Sequence, residues 1–376
     1  MKITSYEALC NLGNNICEIY DKAIVGDITC FENFENYITN DYIRVGTVKA
    51  QLPIIHNQDY NLRCNRLLLK NLELLQNEIC KIKTKYSADK VGIIVATTNS
   101  GVEEYETTQN QKHFELGTPA FFLKTHLGFN GFCSTVSTAC SSGLKAFSLA
   151  RDLLKKHISD AVIVACVDSL SKVPIYGFNS LEVLSNKPSV SFSKNRTGMN
   201  IGEASAIFII ENDETNGIKI MGIGENSDIY HSTTPDPHAK EAISAIQLAL
   251  TDAKIHPEDI DYINAHGTGT VANDIMEANA INKIFSNKVP VSSTKPLTGH
   301  CLGAAAGIET ALCCKLLDKF DGRLYPHIYD NQYDETLPKI NLVENGKKYS
   351  KCNVCMCNSF GFGGTNAIMI IGKDYE

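Results

Sequence analysis

Four segments crowded with small residues carry side chains able to do chemistry. Cys140 lies within Val136-Ser137-Thr138-Ala139-Cys140-Ser141-Ser142-Gly143, and His266 opens His266-Gly267-Thr268-Gly269-Thr270. Lys295 and His300 share Ser293-Thr294-Lys295-Pro296-Leu297-Thr298-Gly299-His300, and a glycine-rich turn occupies Phe360-Gly361-Phe362-Gly363-Gly364-Thr365. A cysteine can accept an acyl group as a thioester. Two neutral imidazoles can donate N–H groups to an enolate oxygen instead of acting as bases. Backbone N–H groups of a glycine-rich turn, with that of the cysteine, can form an oxyanion hole. Together these groups fit acyl-thioester chemistry that passes through a carbanion. Singly, each has a plainer account: an inert buried thiol, a turn-capping histidine, a solvated lysine and a hairpin. GFGGT also lacks the strand–GxGxxG–helix context of a dinucleotide loop, so NAD binding is not expected.

The elements that must position these groups can be read from periodicity. Leu144 to Leu154 carries apolar residues at helical spacing, which puts Cys140 on a tight turn at the amino end of a buried helix. There the helix dipole and unpaired N–H groups are expected to favour thiolate over thiol. Continuous apolar runs at 90–97, 161–167 and 204–210 predict strands covered on both faces, after a short opening strand at 3–6 and a turn at 11–15. Residues 65–86 predict one amphipathic helix, and further helices are expected around 119–127 and 177–185. Beyond a loop at 194–203, strands are expected at 218–223, 260–265, 289–292, 353–357 and 367–371, with helices at 239–254, 274–285 and 308–317. The halves rhyme: VSTACSSGLKAFSLARDLL before AVIVACV parallels LTGHCLGAAAGIETALCCKLL before NVCMCNS. An α/β architecture of two similar half-domains, 1–212 and 213–376, sharing one core is the expectation.

The 376 residues suffice for a substantial core, and a net charge of −7 disfavours nucleic acid or an anionic membrane as partner. No apolar run approaches the ~20 residues of a membrane span. Fourteen unevenly spaced cysteines without a secretory leader read as reduced thiols in a cytoplasm. Cys352, Cys355 and Cys357 read as a buried strand, not a metal site, since no second ligand pair matches, and no metal is expected.

In this order, STACSSG, NAHGTGT, SSTKPLTGHCLGAAAGIE and NSFGFGGTNA resemble the β-ketoacyl-acyl-carrier-protein synthases, condensing enzymes of the thiolase superfamily. The resemblance spans nearly the whole chain. Its Cys-His-His set points to the elongating class: the initiating synthases carry asparagine where His300 stands, and thiolases a second cysteine where NSFGFGG stands. It implies a thiolase-like fold in layered α-β-α-β-α order and decarboxylative Claisen condensation with malonyl carrier protein. By the same resemblance, Cys140 is the acyl-accepting nucleophile, and His266 and His300 stabilise the enolate. Lys295 sets charge and orientation around His300, and Glu309 supports the lysine. The N–H groups of Cys140 and Phe362 form the oxyanion hole, while the Phe362 ring gates an acyl pocket that includes Phe178. Phe360 joins the substrate-binding set, and Thr268 and Thr270 hold the phosphopantetheine arm. No cofactor of its own is implied, because substrates arrive on the acyl carrier protein. Homodimer and heterodimer both remain open, and Arg63, Arg66 and Lys124 are candidates for carrier docking. The stretches KNRTGMNIGEASAIF, GENSDIYHSTTPDPHAKEA and LYPHIYDNQYDETLPKINLV look closer to aryl-polyene-type synthases. The stretch between residues 40 and 120 looks shorter than in housekeeping fatty-acid synthases. The resemblance also admits a non-catalytic partner that sets chain length, although such partners usually lose the cysteine, and a thioester hydrolase or degradative thiolase.

Overall fold

Small residues at the heads of two apolar segments let the helices Ser142–Lys155 and Ala305–Lys319 lie against each other at the centre of the molecule. A Cβ on Gly143 would sit 2.9 Å from Ala306 Cβ, and one on Gly307 would sit 2.5 Å from Cys166 Cβ. No larger residue fits either crossing without displacing its neighbour. The computed structural model, which describes residues 1–38, 41–212 and 217–373, wraps a sheet around this pair.

Eleven strands follow one another across that sheet, in two wings joined at a narrow seam. At the seam Lys2–Leu9 meets Ile218–Ser227 through two residue pairs, Lys2 with Lys219 and Ile3 with Ile218. From Lys2–Leu9 the first wing runs through Ala204–Glu211, Ala161–Asp168 and Val91–Ala96 to Cys133–Val136. From Ile218–Ser227 the second runs through Thr365–Gly372, Val354–Gly361, Tyr262–Asn264 and Pro290–Ser292 to Asn341–Leu342. In each wing parallel strands abut an antiparallel one.

Both faces of each wing are covered. The first wing carries Arg63–Leu72 and Thr118–Leu127 on its outside, and the second carries Lys240–Ala253 with Val271–Phe285 packed beside it. The central helices fill the space between, giving five layers, α-β-α-β-α. This explains the unbroken apolar runs. In Ala161–Asp168, Val162, Val164 and Cys166 face the central helices, whereas Ile163, Ala165 and Val167 face the outer pair. Period two is present, but both phases are apolar.

The expected single helix over 65–86 is two, Arg63–Leu72 and Gln76–Lys85. Asn71 ends the first: its buried amide donates to the carbonyls of Glu7 and Ser205, both at 3.2 Å, tying the helix end to the sheet. The chain then tightens, with Leu74 and Leu75 N–H groups donating to carbonyls three residues back, and both Leu72 and Leu75 become buried. The helix expected at 177–185 lies earlier, at Lys172–Ser180, opened by Ser171 in extended conformation. The helix Ile16–Ala23 and the strands Glu32–Ile38 and Asp41–Gly46 were not anticipated. Of CNVCMC, Val354 to Cys357 begin the buried strand Val354–Gly361, and Cys352 is buried just ahead of it.

Candidate active site

Cys140 sits between the strand Cys133–Val136 and the helix Ser142–Lys155, and the turn that presents it is strained. Ala139 has φ +52°, in the left-handed region that a residue with a Cβ enters at a cost. Hydroxyls hold the turn in place. Ser141 Oγ and Thr365 Oγ1 donate to the Thr138 carbonyl at 2.8 and 2.9 Å, and Ser359 Oγ donates to the Cys140 carbonyl at 2.8 Å. The crowd of serines and threonines around the cysteine is therefore scaffolding. The Cys140 sulfur faces its own N–H and that of Phe362, and both favour the anion. Burial outweighs them and Lys295 together, pushing the thiol up to about 11. The expectation that the helix end would favour thiolate is corrected: desolvation wins.

His300 Nε2 lies 3.0 Å from Cys140 Sγ, and the donor atoms of Cys140, His266 and His300 all lie within 4.8 Å of one another. The two imidazoles stand edge to face, centroids 5.5 Å apart at 89°. Each ring has its Nδ1 turned toward an N–H donor. The Leu302 N–H donates to His300 Nδ1 at 3.1 Å, from a residue itself held at φ +53°. The Lys295 ammonium lies 3.2 Å from His266 Nδ1. A neutral ring that accepts at Nδ1 carries its proton on Nε2. Burial holds both imidazoles well below the usual histidine range, with the Lys295 charge acting the same way. Both are neutral donors aimed at one point. The three atoms are close enough to surround a metal ion, but protonated Nε2 atoms offer no lone pair to it.

Lys295 reaches a different partner from the one expected. It stands five residues before His300, yet it contacts His266 and forms a buried pair with Glu309 at 2.5 Å. The reason is the short helix Lys295–Thr298, which sends the lysine side chain inward while His300 leaves on the following turn. Burial raises the Glu309 carboxyl to about 7 against the pull of Lys295.

Two cavities meet at the cysteine. One, of about 420 Å³, runs past Thr268, Thr270 and Phe360, with the two threonine hydroxyls 2.9 Å apart. The other, of about 380 Å³, is apolar and lies beyond Phe178 and Phe362, whose ring centroids are 5.5 Å apart. The structure thus brings every expected site residue to one place. Two buried acids escaped sequence reading. Glu277 accepts the His266 and Gly267 N–H groups at 2.7 and 2.6 Å. Asp168 accepts from Thr97, Thr98, Asn99 and Gly303. The available signal was an acid ending an otherwise apolar strand, AVIVACVD. Of the docking candidates, Arg63 is committed to buried Glu203 at 2.5 Å, so it is corrected to a structural role. Arg66 leans on Glu104 at 3.7 Å, and Lys124 is partly exposed.

Five layers around two small-residue helices, with a thiol and two imidazoles where the halves meet, define an acyl-transfer enzyme of thiolase-like fold. Residues 66–216 match the β-ketoacyl synthase N-terminal domain, and residues 218–321 match its C-terminal domain. The 3-oxoacyl-[acyl-carrier-protein] synthase 2 of Staphylococcus aureus (strain COL) is 28% identical over 416 positions, 99% of this chain and 97% of the relative. The enzyme of that name from Coxiella burnetii is 36% identical over 259 residues, 64% of this chain and 62% of its own length. A chain of the ketosynthase ApeO complex with its chain length factor ApeC, from Xenorhabdus doucetiae, superposes with a TM-score of 0.94 at 34% identity. That match covers 99% of this chain and 98% of the other. The chain belongs to the β-ketoacyl synthase family, and it is a condensing acyltransferase. No helix among the described residues is long and apolar enough to cross a membrane.

Proposed function

We propose that Cys140, His266 and His300 carry out the condensation, with Lys295 and Glu309 positioning His266. The observation that carries this reading is the pair of imidazoles whose Nδ1 atoms face N–H donors, with His300 Nε2 3.0 Å from Cys140 Sγ and one ring nitrogen of His266 within 4.8 Å of both. In the first step the Cys140 sulfur attacks an acyl thioester, and the proton of the thiol leaves with the released pantetheine thiol. The apolar cavity beyond Phe362 receives the acyl chain. In the second step malonyl carrier protein loses CO2, and the enolate oxygen is held by both Nε2–H groups. The enolate carbon then attacks the Cys140 thioester, whose oxyanion sits at the Cys140 and Phe362 N–H groups. Collapse expels the Cys140 thiolate and leaves a β-ketoacyl group on the carrier.

The arm enters through the cavity lined by Thr268 and Thr270, and no cofactor of the enzyme's own takes part. We take residues 1–212 and 213–376 as two half-domains around one core. The partners we assign are an acyl carrier protein and a second, related synthase subunit. The likeness to a chain of the complex between the ketosynthase ApeO and its chain length factor ApeC supports the latter and an aryl-polyene-type elongation. Fourteen free thiols support a cytoplasmic location. The test uses malonyl carrier protein and acyl primers, with products identified by mass. His300→Ala should still accept an acyl group on Cys140 yet release no CO2 from malonyl carrier protein. A variant that decarboxylates normally removes His300 from the mechanism.

A further inference from the structure

His300 is held at two levels. Its backbone is tied to the short strand Ile201–Gly202 and the residue before it: the His300 N–H donates to the Asn200 carbonyl at 2.7 Å, and the His300 carbonyl accepts the Gly202 N–H at 3.0 Å. Those bonds do not fix the ring, which can still turn about its side-chain torsions. The ring is set by the Leu302 N–H, 3.1 Å from Nδ1. Leu302 presents that N–H at φ +53°, a conformation that a residue with a Cβ keeps only when its surroundings over-determine it.

Asp168 supplies that constraint. It ends the strand Ala161–Asp168, is fully buried, and accepts the Gly303 N–H on Oδ2 at 2.7 Å, one peptide beyond Leu302. The approach is close, since a Cβ on Gly303 would also sit 2.7 Å from Oδ2. The same carboxylate accepts the Thr98 N–H at 3.0 Å, the Asn99 N–H at 2.9 Å and the hydroxyls of Thr97 and Thr98, both at 2.7 Å. Backbone N–H groups can only donate, so this ring of partners suits the ionised acid. One carboxylate thus anchors the turn after His300 to the loop that follows Val91–Ala96.

We propose that Asp168 is a positioning residue for His300, gripping the Gly303 N–H so that the Leu302 N–H stays on Nδ1 and the ring keeps its proton on Nε2. This rests on the reading of His300 as a donor to the enolate. The test measures two half-reactions of the whole enzyme: CO2 release from malonyl carrier protein, and acylation of Cys140 by butyryl carrier protein, followed by mass. Asp168→Ala removes the acceptor, Gly303→Ala pushes the turn off Oδ2, and Thr97→Val takes a hydroxyl from the other oxygen, Oδ1. In the two alanine variants kcat for CO2 release should fall at least tenfold, toward the roughly 10² that a misplaced group costs. Their KM for malonyl carrier protein and their acylation rate should be kept. Thr97→Val should release CO2 at the wild-type rate. An acid that only stabilises the fold would slow both half-reactions together. That result, or full CO2 release by Gly303→Ala, would overturn the proposal, and Gly303→Ala decides alone where Asp168→Ala does not fold. A His300→Ala variant that decarboxylates normally would instead overturn the role of His300, so the two failures are separable.

Discussion

Removing the Lys295 charge separates what the lysine does for stability from what it does for chemistry. Lys295→Met strips His266 Nδ1 of its donor at 3.2 Å and leaves Glu309, almost fully buried, without its partner at 2.5 Å. Breaking a buried pair by removing one member costs about 3–5 kcal/mol. Glu309 can lessen that by holding a proton, since its carboxyl already lies near 7 with Lys295 present. The loss should therefore sit near ~3 kcal/mol at neutral pH and vary with pH. The direction follows from linkage. A carboxyl raised above its unfolded value of 4.5 keeps a proton in the folded state that the unfolded state releases, so stability falls as pH rises from 4.5 past 7. The slope approaches about 1.4 kcal/mol per pH unit. Lys295→Met/Glu309→Gln removes both charges, so most of the stability should be restored and that slope should vanish. Decarboxylation should not return. The ring has lost the donor that fixed its tautomer, and losing one oxyanion donor costs about 10²–10³ in rate. Urea unfolding across pH, paired with CO2 release from malonyl carrier protein, reads both quantities. A double variant that regains full decarboxylation would refute the positioning role. A single variant as stable as the wild type across that pH range would refute the buried pair.

Cys140→Ser should abolish condensation, whereas Cys140→Gln should leave a decarboxylase, because the two Nε2–H groups remain; CO2 release without β-ketoacyl product is the readout. Iodoacetamide labelling of Cys140 should quicken with each unit of pH from 7 toward about 11, and a plateau near neutrality would show that the thiolate is already formed. Arg63→Ala removes the partner of buried Glu203 and should cost about 2–3 kcal/mol in urea unfolding while leaving the KM for carrier protein unchanged. Gly143→Leu, at the crossing of the central helices, should cost at least about 1–3 kcal/mol through overpacking.

The layered fold was legible because its signal is repeated: unbroken apolar strands such as 91–96 and 161–167, and two small-residue turns that each open an apolar helix. The loops were harder. The break after Leu72 depends on an asparagine reaching carbonyls at Glu7 and Ser205, and local periodicity carries no trace of such distant partners. Lys295 misled by proximity along the chain. Five residues separate it from His300, but its contact is with His266, 29 positions away. Asp168 and Glu277 matter because of which N–H groups converge on them, and that convergence exists only after folding. The thiol was misjudged for the same reason, since the desolvation that raises it belongs to the closed chamber and not to the turn.

Fixing both rings in the form that gives away hydrogen, and never takes it, decides how a carbon nucleophile can arise here. Once the sulfur is loaded, none of the described groups at the chamber floor can pull a proton from carbon, so a plain acetyl thioester is useless as the extending unit. The extender must bring its own latent charge as a carboxylate. Departure of a gas then makes each round of growth irreversible.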